Sequence, residues 1–333
     1  MDRRRLLAAL PLIGLAGRGV AQPAPAPRPP LPPPTLPITI VAEGLQFPEG
    51  PVAMRDGSLL FVEIQRKTVS RLSADGKVSV VAQLEGGPNG LAIGPDGALY
   101  IANNGGRFGF RMRDGVNVSG EPAPGAMLGG SIQRLDLKTG KFRTLYDACD
   151  GRKFVALDDL VFDRHGGMWI SDIGKTPGDG GIYYATADGK HVRQVKGGLR
   201  QANGIGISPD GRQLHVSETP RLWTWDIAGP GVLGPSTSYP PDGEQGKLAG
   251  RTYADSLKVQ ADGRVCVCTL FAGGISIFDK AGGVEFIQSN DLWTTNLAFG
   301  GKDMRDVWLT LSGSGRIGKV RWPTPGLKPA YSA

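Results

Sequence analysis

Short apolar runs, separated by turns rich in glycine, aspartate and proline, recur along most of the chain. An apolar run, a turn and a second apolar run occupy residues 52–62, 91–101, 160–171, 205–216, 257–268 and 297–309. The first five turn at Asp56-Gly57, Asp96-Gly97, His165-Gly166, Asp210-Gly211 and Asp262-Gly263, and the sixth turn is slightly longer. Glycine at such a turn accepts the positive φ that a tight hairpin demands. A third run follows each pair, as at residues 131–140, 181–189 and 274–282, and a fourth, such as residues 142–146, closes the unit. Four short antiparallel strands in a repeat of about 48 residues describe a propeller blade. The pattern predicts an all-β fold, a six-bladed β-propeller with four-stranded antiparallel blades. The second runs (residues 99–102, 168–171 and 265–268) are apolar on both faces, which suits a blade sandwiched between neighbours. A β-sandwich would not explain the sixfold regularity. Residues 38–42 are expected to supply the missing last strand of the sixth blade and so close the ring.

Composition adds limits at the ends. Residues 1–21 combine Arg3, Arg4 and Arg5 with a short apolar stretch and small residues before Gln22, the grammar of a cleaved, twin-arginine-like export signal. Residues 22–37 alternate proline with alanine and other small residues, a linker too poor in packable side chains to fold. The propeller is expected over 38–325 and a tail over 326–333. Four arginines against one aspartate in residues 1–21 account for three of the seven net positive charges. No basic run or aromatic-interleaved basic patch remains, which argues against nucleic acid. Nor does any later segment suit a membrane span, so a periplasmic or secreted monomer is expected. Cys149, Cys266 and Cys268 read as buried free thiols, the last two standing too close on one strand for a relaxed disulfide. Two insertions, residues 105–130 and 229–250, are candidates for specificity loops.

Aligned on their turns, the six units share one position. Glu49, Asn89, Asp158, Asn203 and Asp255 each lie seven residues before the turn, and Asn296 precedes the longer sixth turn. All carry side-chain oxygens amid apolar neighbours, just before the innermost strand of a blade, so they should converge at one end of the channel. Single Asn and Asp residues often cap turns; six in register, one of them Glu, point instead to a site. Carboxylates and amides without imidazole or thiolate suit a hard divalent cation, Ca²⁺ first, with Mg²⁺, Mn²⁺ or Zn²⁺ as alternatives.

The motifs Phe47-Pro48-Glu49-Gly50-Pro51, Pro88-Asn89-Gly90, Asp158-Asp159, Ala202-Asn203-Gly204 and Ala254-Asp255-Ser256 resemble the blade signatures of the SMP-30/gluconolactonase family over residues 37–322. That resemblance implies a metal held by Glu49, Asn203 and Asp255, and hydrolysis of a small lactone or ester. It places Asp158 where relatives carry an Asn facing substrate and metal, and Asn89, Asn296, Asp159 and Ser256 on the substrate side. Asp255 is the first choice for general base or water-orienting ligand and Asp158 the second, with the cation polarising the carbonyl. Ala156 stands where relatives handling gluconolactone can carry Arg, which makes a less polar substrate a possibility to test. A non-enzymatic propeller and a strictosidine-synthase-like enzyme are the alternatives on this scaffold. The Gly313–Gly318 match to a dinucleotide loop leads into a strand, not a helix, and is set aside. His165, His191 and His215 are assigned to a turn, a polar loop and a strand, and the tryptophans to blade packing.

Overall fold

The computed structural model describes residues 32–239 and 253–333. The expected signal, most of the linker and the end of the second insertion lie outside them. The described residues form six four-stranded antiparallel sheets and two small hairpins, with no helix. Blade 1 runs from its innermost strand outward as Pro48–Ala53, Leu59–Glu63, Thr68–Leu72 and Val78–Gln83. The innermost strands of the next five blades are Pro88–Ile93, Leu157–Phe162, Ala202–Ile207, Tyr253–Val259 and Thr294–Gly300. Each packs against the next, and the last returns to the first, so they ring a central channel.

The sixth blade takes its outer strand from the other end of the chain. Thr39–Ala42 pairs antiparallel with Arg316–Arg321, Ile40 lying opposite Gly318. Ring closure is thus made by backbone hydrogen bonds between segments almost a chain length apart, and the sixth sheet keeps no unpaired edge at that seam.

The core is distributed between the blades. In the second strand of blade 1, Leu59 and Phe61 pack toward blade 6, while Leu60 and Val62 pack toward blade 2. Tyr100 and Ala102 likewise face blade 3, and Leu99 and Ile101 face blade 1. Side chains alternate across a strand, so one continuous apolar run supplies two interfaces. Each such buried Leu, Ile or Phe contributes about 1.5–3 kcal/mol. Cys266 and Cys268 belong to one of these layers, between blades 5 and 6, and all three cysteines are buried free thiols.

The first insertion adds strands, whereas the described part of the second holds Val232–Tyr239, the outermost strand of blade 4 itself. Residues 105–130 hold a hairpin, Gly109–Arg113 paired with Val116–Gly120. It reaches over the channel mouth: the Asn117 amide nitrogen donates to the Gly313 carbonyl (2.8 Å) of blade 6, and its Nδ2 donates to Gln65 Oε1 (2.6 Å) of blade 1. At the opposite end, residues 326–333 cross from blade 5 to blade 1, with Leu327 N bonded to the Val259 carbonyl and Arg55 N to the Ala333 carbonyl. Among the described residues no helix is long and apolar enough to cross a membrane.

Candidate active site

Every innermost strand carries a β-bulge at the position that aligns the six oxygen-bearing residues. Pairing slips between Glu49 and Val52, Pro88 and Leu91, Leu157 and Leu160, Ala202 and Ile205, Ala254 and Leu257, and Thr294 and Asn296. A bulge inserts an extra residue and re-aims the side chain beside it. Asn89-Gly90 and Asn203-Gly204, dipeptides that favour turns elsewhere, therefore lie inside strands. The glycines serve close approach. A Cβ on Gly90 would stand 2.6 Å from the Asp158 carbonyl oxygen, and one on Gly204 would stand 2.2 Å from Leu257 N. Each leaves room for the site residue of the following blade.

Around the ring, carboxylates and amides alternate, and two of the three carboxylates accept a hydrogen bond from an amide of a neighbouring blade. Asn89 Nδ2 donates to Asp158 Oδ1 (2.6 Å) and Asn296 Nδ2 to Glu49 Oε2 (2.8 Å), while the Asn203 amide acts on Asp255 by lowering its proton affinity. Backbone donors and bridging hydroxyls hold the frame. Gly50 N donates to Glu49 Oε2, Ser217 Oγ of blade 4 to the Asp255 carbonyl, and Ser312 Oγ of blade 6 to the Pro48 carbonyl, each at 2.5 Å. Asp172 accepts the Val155, Ala156 and Gly174 amides at 3.0, 2.8 and 2.8 Å, fixing the approach to Asp158.

Glu49, Asn89, Asp158, Asn203 and Asp255 line one cavity of about 320 Å³. Asn296 does not; it is fully buried behind Glu49 and orients it. Asp159 turns away to Lys258 of blade 5 (3.3 Å) and to Leu160 N (2.9 Å), making a strut across the channel beneath the cavity. Ser256 is buried beside Gly204. A larger cavity, about 480 Å³, lies at the opposite end under Leu327 and Tyr331. Its wall is largely aliphatic, whereas the carboxylates and amides of the aligned column line the smaller one.

Burial dominates the electrostatics. It pushes the Glu49 carboxyl up to about 7, helped by the charge of Asp159 and opposed by the Asn296 and Gly50 hydrogen bonds. Burial, then the charges of Asp255 and Glu49, hold Asp158 well above the usual carboxylate range. Asp255 is raised in the same way by burial and then by Glu49. Among the described residues, no three carboxylate, imidazole or thiolate side chains gather so as to hold a metal by themselves. The donors on offer are mixed. Asn203 Oδ1 is buried without a hydrogen-bond partner in the wall that Glu49 and Asp255 share. An all-oxygen set with one unsatisfied amide oxygen fits a hard divalent cation.

Several lining residues are not visible in the repeat pattern. Arg107, Phe108 and Glu121 come from the hairpin insertion, and Phe271 and Trp293 from loops between strands. Trp293 meets Phe47 and Phe271 edge-on at 5.8 and 5.2 Å, so one tryptophan expected in blade packing belongs to the cavity. Trp169 and Trp308 are buried between blades. The only advance signal was the length of the insertion. Ala156 is fully buried and outside the wall. His165 sits in its turn, and His215 is buried in a second strand with Nδ1 against Thr224 Oγ1 at 2.9 Å.

Comparison with known proteins agrees with this fold. Residues 47–313 match the model of the SMP-30/Gluconolactonase/LRE-like region. A gluconolactonase of Zymomonas mobilis is 25% identical over 329 residues, covering 88% of this chain and 83% of its own. The lactonase drp35 of Staphylococcus aureus strain MRSA252 is 28% identical over 269 residues, covering 76% and 74%. The solved gluconolactonase of Xanthomonas campestris superposes with a TM-score of 0.69 at 18% identity, over 89% of this chain and 99% of that one. With a family match across the blades and this fold beneath it, the chain belongs to the SMP-30/gluconolactonase/LRE-like family.

Proposed function

We propose that this protein is a divalent-cation-dependent hydrolase that opens a small lactone or related ester. The observation that carries the reading is the unsatisfied Asn203 Oδ1 in the same wall as the mutually repelling Glu49 and Asp255. Those three residues would hold the cation, Ca²⁺ being the best match to an oxygen-only set. When bound, it would supply Lewis acidity toward the substrate carbonyl. The similarity to enzymes named gluconolactonase and lactonase supports the reaction class.

The chain's own residues supply the rest. Asp255 orients the attacking water from the cavity wall. Asp158 stands outside the proposed donor set with its Oδ1 held by Asn89, and its second oxygen is the acceptor we assign to the proton of that water. Burial, first, and the charges of Asp255 and Glu49 raise its proton affinity above that of an ordinary carboxylate, which favours proton uptake. Phe47, Phe271 and Trp293 shield the ring from solvent on one side. Hydrolysis of a panel of aldonolactones, acyl lactones and aryl esters, with cation and with chelator, tests the proposal. Asp255→Ala should abolish cation-dependent turnover in a folded propeller, and Asp158→Ala should lower kcat by about 10²–10⁴. Full activity of either variant, or turnover indifferent to chelator, refutes the assignment.

A further inference from the structure

The hairpin insertion brings a cationic side chain into the wall of a cavity otherwise dominated by carboxylates, amides and aromatic rings. Arg107 is 7% exposed and lines that cavity. Its Nη1 donates to Glu121 Oε2 at 3.2 Å, and its Nη2 to Glu121 Oε1 at 3.3 Å and to the Lys175 carbonyl at 3.4 Å. These are long for charge-assisted bonds, which settle at about 2.7–2.9 Å. The Glu121 side chain is 80% exposed, so its hold on the guanidinium competes with water. Most telling, Arg107 Nε is buried and has no hydrogen-bond partner. An N–H of a charged group left unpaired in the interior is costly unless something arrives to accept it. Nε and the neighbouring Nη form an edge that matches the two oxygens of a carboxylate, with Nε free and the Nη held only by the long contacts above, which a stronger acceptor displaces.

We infer that Arg107 is an anion-recognition subsite and that the preferred substrate is a small lactone bearing a carboxylate substituent. The inference rests on the lactonase reading and narrows its substrate class. Glu49, Asp158 and Asp255 repel an anionic substituent, whereas Arg107 attracts it. The two together orient the ring with its substituent toward the hairpin and its carbonyl toward the ring of oxygens. A cavity of about 320 Å³ admits only a compact molecule, which can reach both groups at once. The competing role for Arg107 is structural, since its pairing with Glu121 also closes the base of the hairpin.

The test uses a matched pair, γ-butyrolactone and 5-oxotetrahydrofuran-2-carboxylate, with the full chain and the variants Arg107→Met, Arg107→Lys and Glu121→Gln. Arg107→Met should raise KM for the carboxylate-bearing lactone about tenfold or more, with Lys restoring part of the loss. The loss on the neutral lactone should be smaller, by about fivefold or more, than the loss on the carboxylate-bearing one in both Arg107 variants. Glu121→Gln, which frees the guanidinium, should lower KM for the anionic lactone. A purely structural role predicts otherwise: both substrates suffer alike, and Glu121→Gln weakens binding as Arg107→Met does. That result overturns the inference. Calorimetric binding of a non-hydrolysable pair, tetrahydrofuran and tetrahydrofuran-2-carboxylate, separates the two levels of the reading. If neither lactone is hydrolysed yet tetrahydrofuran-2-carboxylate binds and Arg107→Met abolishes it, the subsite stands and the lactonase reading falls. If tetrahydrofuran-2-carboxylate binds no better than tetrahydrofuran, the subsite is refuted.

Discussion

Gly204→Ala tests the claim that the site is assembled by close approach of the innermost strands. Gly204 follows Asn203, and a Cβ there would lie 2.2 Å from Leu257 N, 2.6 Å from the Ser256 carbonyl carbon and 2.7 Å from the Ser256 Cα. All three obstacles are backbone, so no rotamer change relieves them. Bringing the shortest contact from 2.2 Å to the 3.4 Å at which ordinary contact begins requires blades 4 and 5 to part by roughly 1 Å. Overpacking a dense core costs about 1–3 kcal/mol, and a rigid obstacle places this change at the upper end. The same movement separates Asn203 from Asp255, and a displacement of about 1 Å costs on the order of 10² in rate. Gly211→Ala is the control. Its φ is +75° but nothing lies within 4 Å of the added atom, so only the left-handed backbone is penalised, by roughly 1–2 kcal/mol. Denaturant midpoints and lactone turnover should therefore dissociate: both variants lose stability, and only Gly204→Ala loses activity. Wild-type turnover in a folded Gly204→Ala protein would refute the argument that this glycine sets the spacing of the site.

Two further outcomes follow from the same structure. Ca²⁺ at about 100 times its Kd should stabilise the protein by roughly 2.7 kcal/mol, read as a shift in thermal midpoint. Glu49→Gln should lose that shift yet be no less stable than wild type in chelator, because Glu49 is one of the charges that raise Asp158 and Asp255. A large Ca²⁺ shift retained in the variant would remove Glu49 from the donor set. His215 has its pKa lowered to about 4, mainly by burial, from an unfolded value of 6.5. Because the folded state resists protonation, the neutral ring's contribution is present above pH 6.5 and is lost as pH falls through about 4, some 3 kcal/mol in all. Unfolding free energies measured across that window should fall less steeply in His215→Gln, and equal slopes would show that His215 does not control this acid response.

The aligned oxygen-bearing residues behave unequally once folded, for reasons that lie between strands. Asn89-Gly90 and Asn203-Gly204 carry the local chemistry of turns, yet tertiary pairing holds them inside strands as bulges. Asp158 and Asp159 are chemically identical neighbours. One faces the cavity and the other meets Lys258, because the bulge at that point sends the two side chains to different surroundings. Asn296 sits in register with the others but spends its amide on Glu49. Arg107 and Trp293 could not be read from the repeats at all, since both lie in segments that interrupt them.

Periodicity in the chain alone determined the blade count, the order of strands, the ring closure by residues 38–42 and the column of carboxylates and amides. Each of these depends on local alternation and turn chemistry repeated at a regular interval, so each survives without coordinates. Tertiary structure decided which amide pairs with which carboxylate, which oxygen is left unsatisfied, and what the hairpin insertion contributes to the mouth. Those outcomes depend on distances of a few tenths of an ångström between blades, where a buried hydrogen bond is either made or missed, and no pattern within a single strand encodes them.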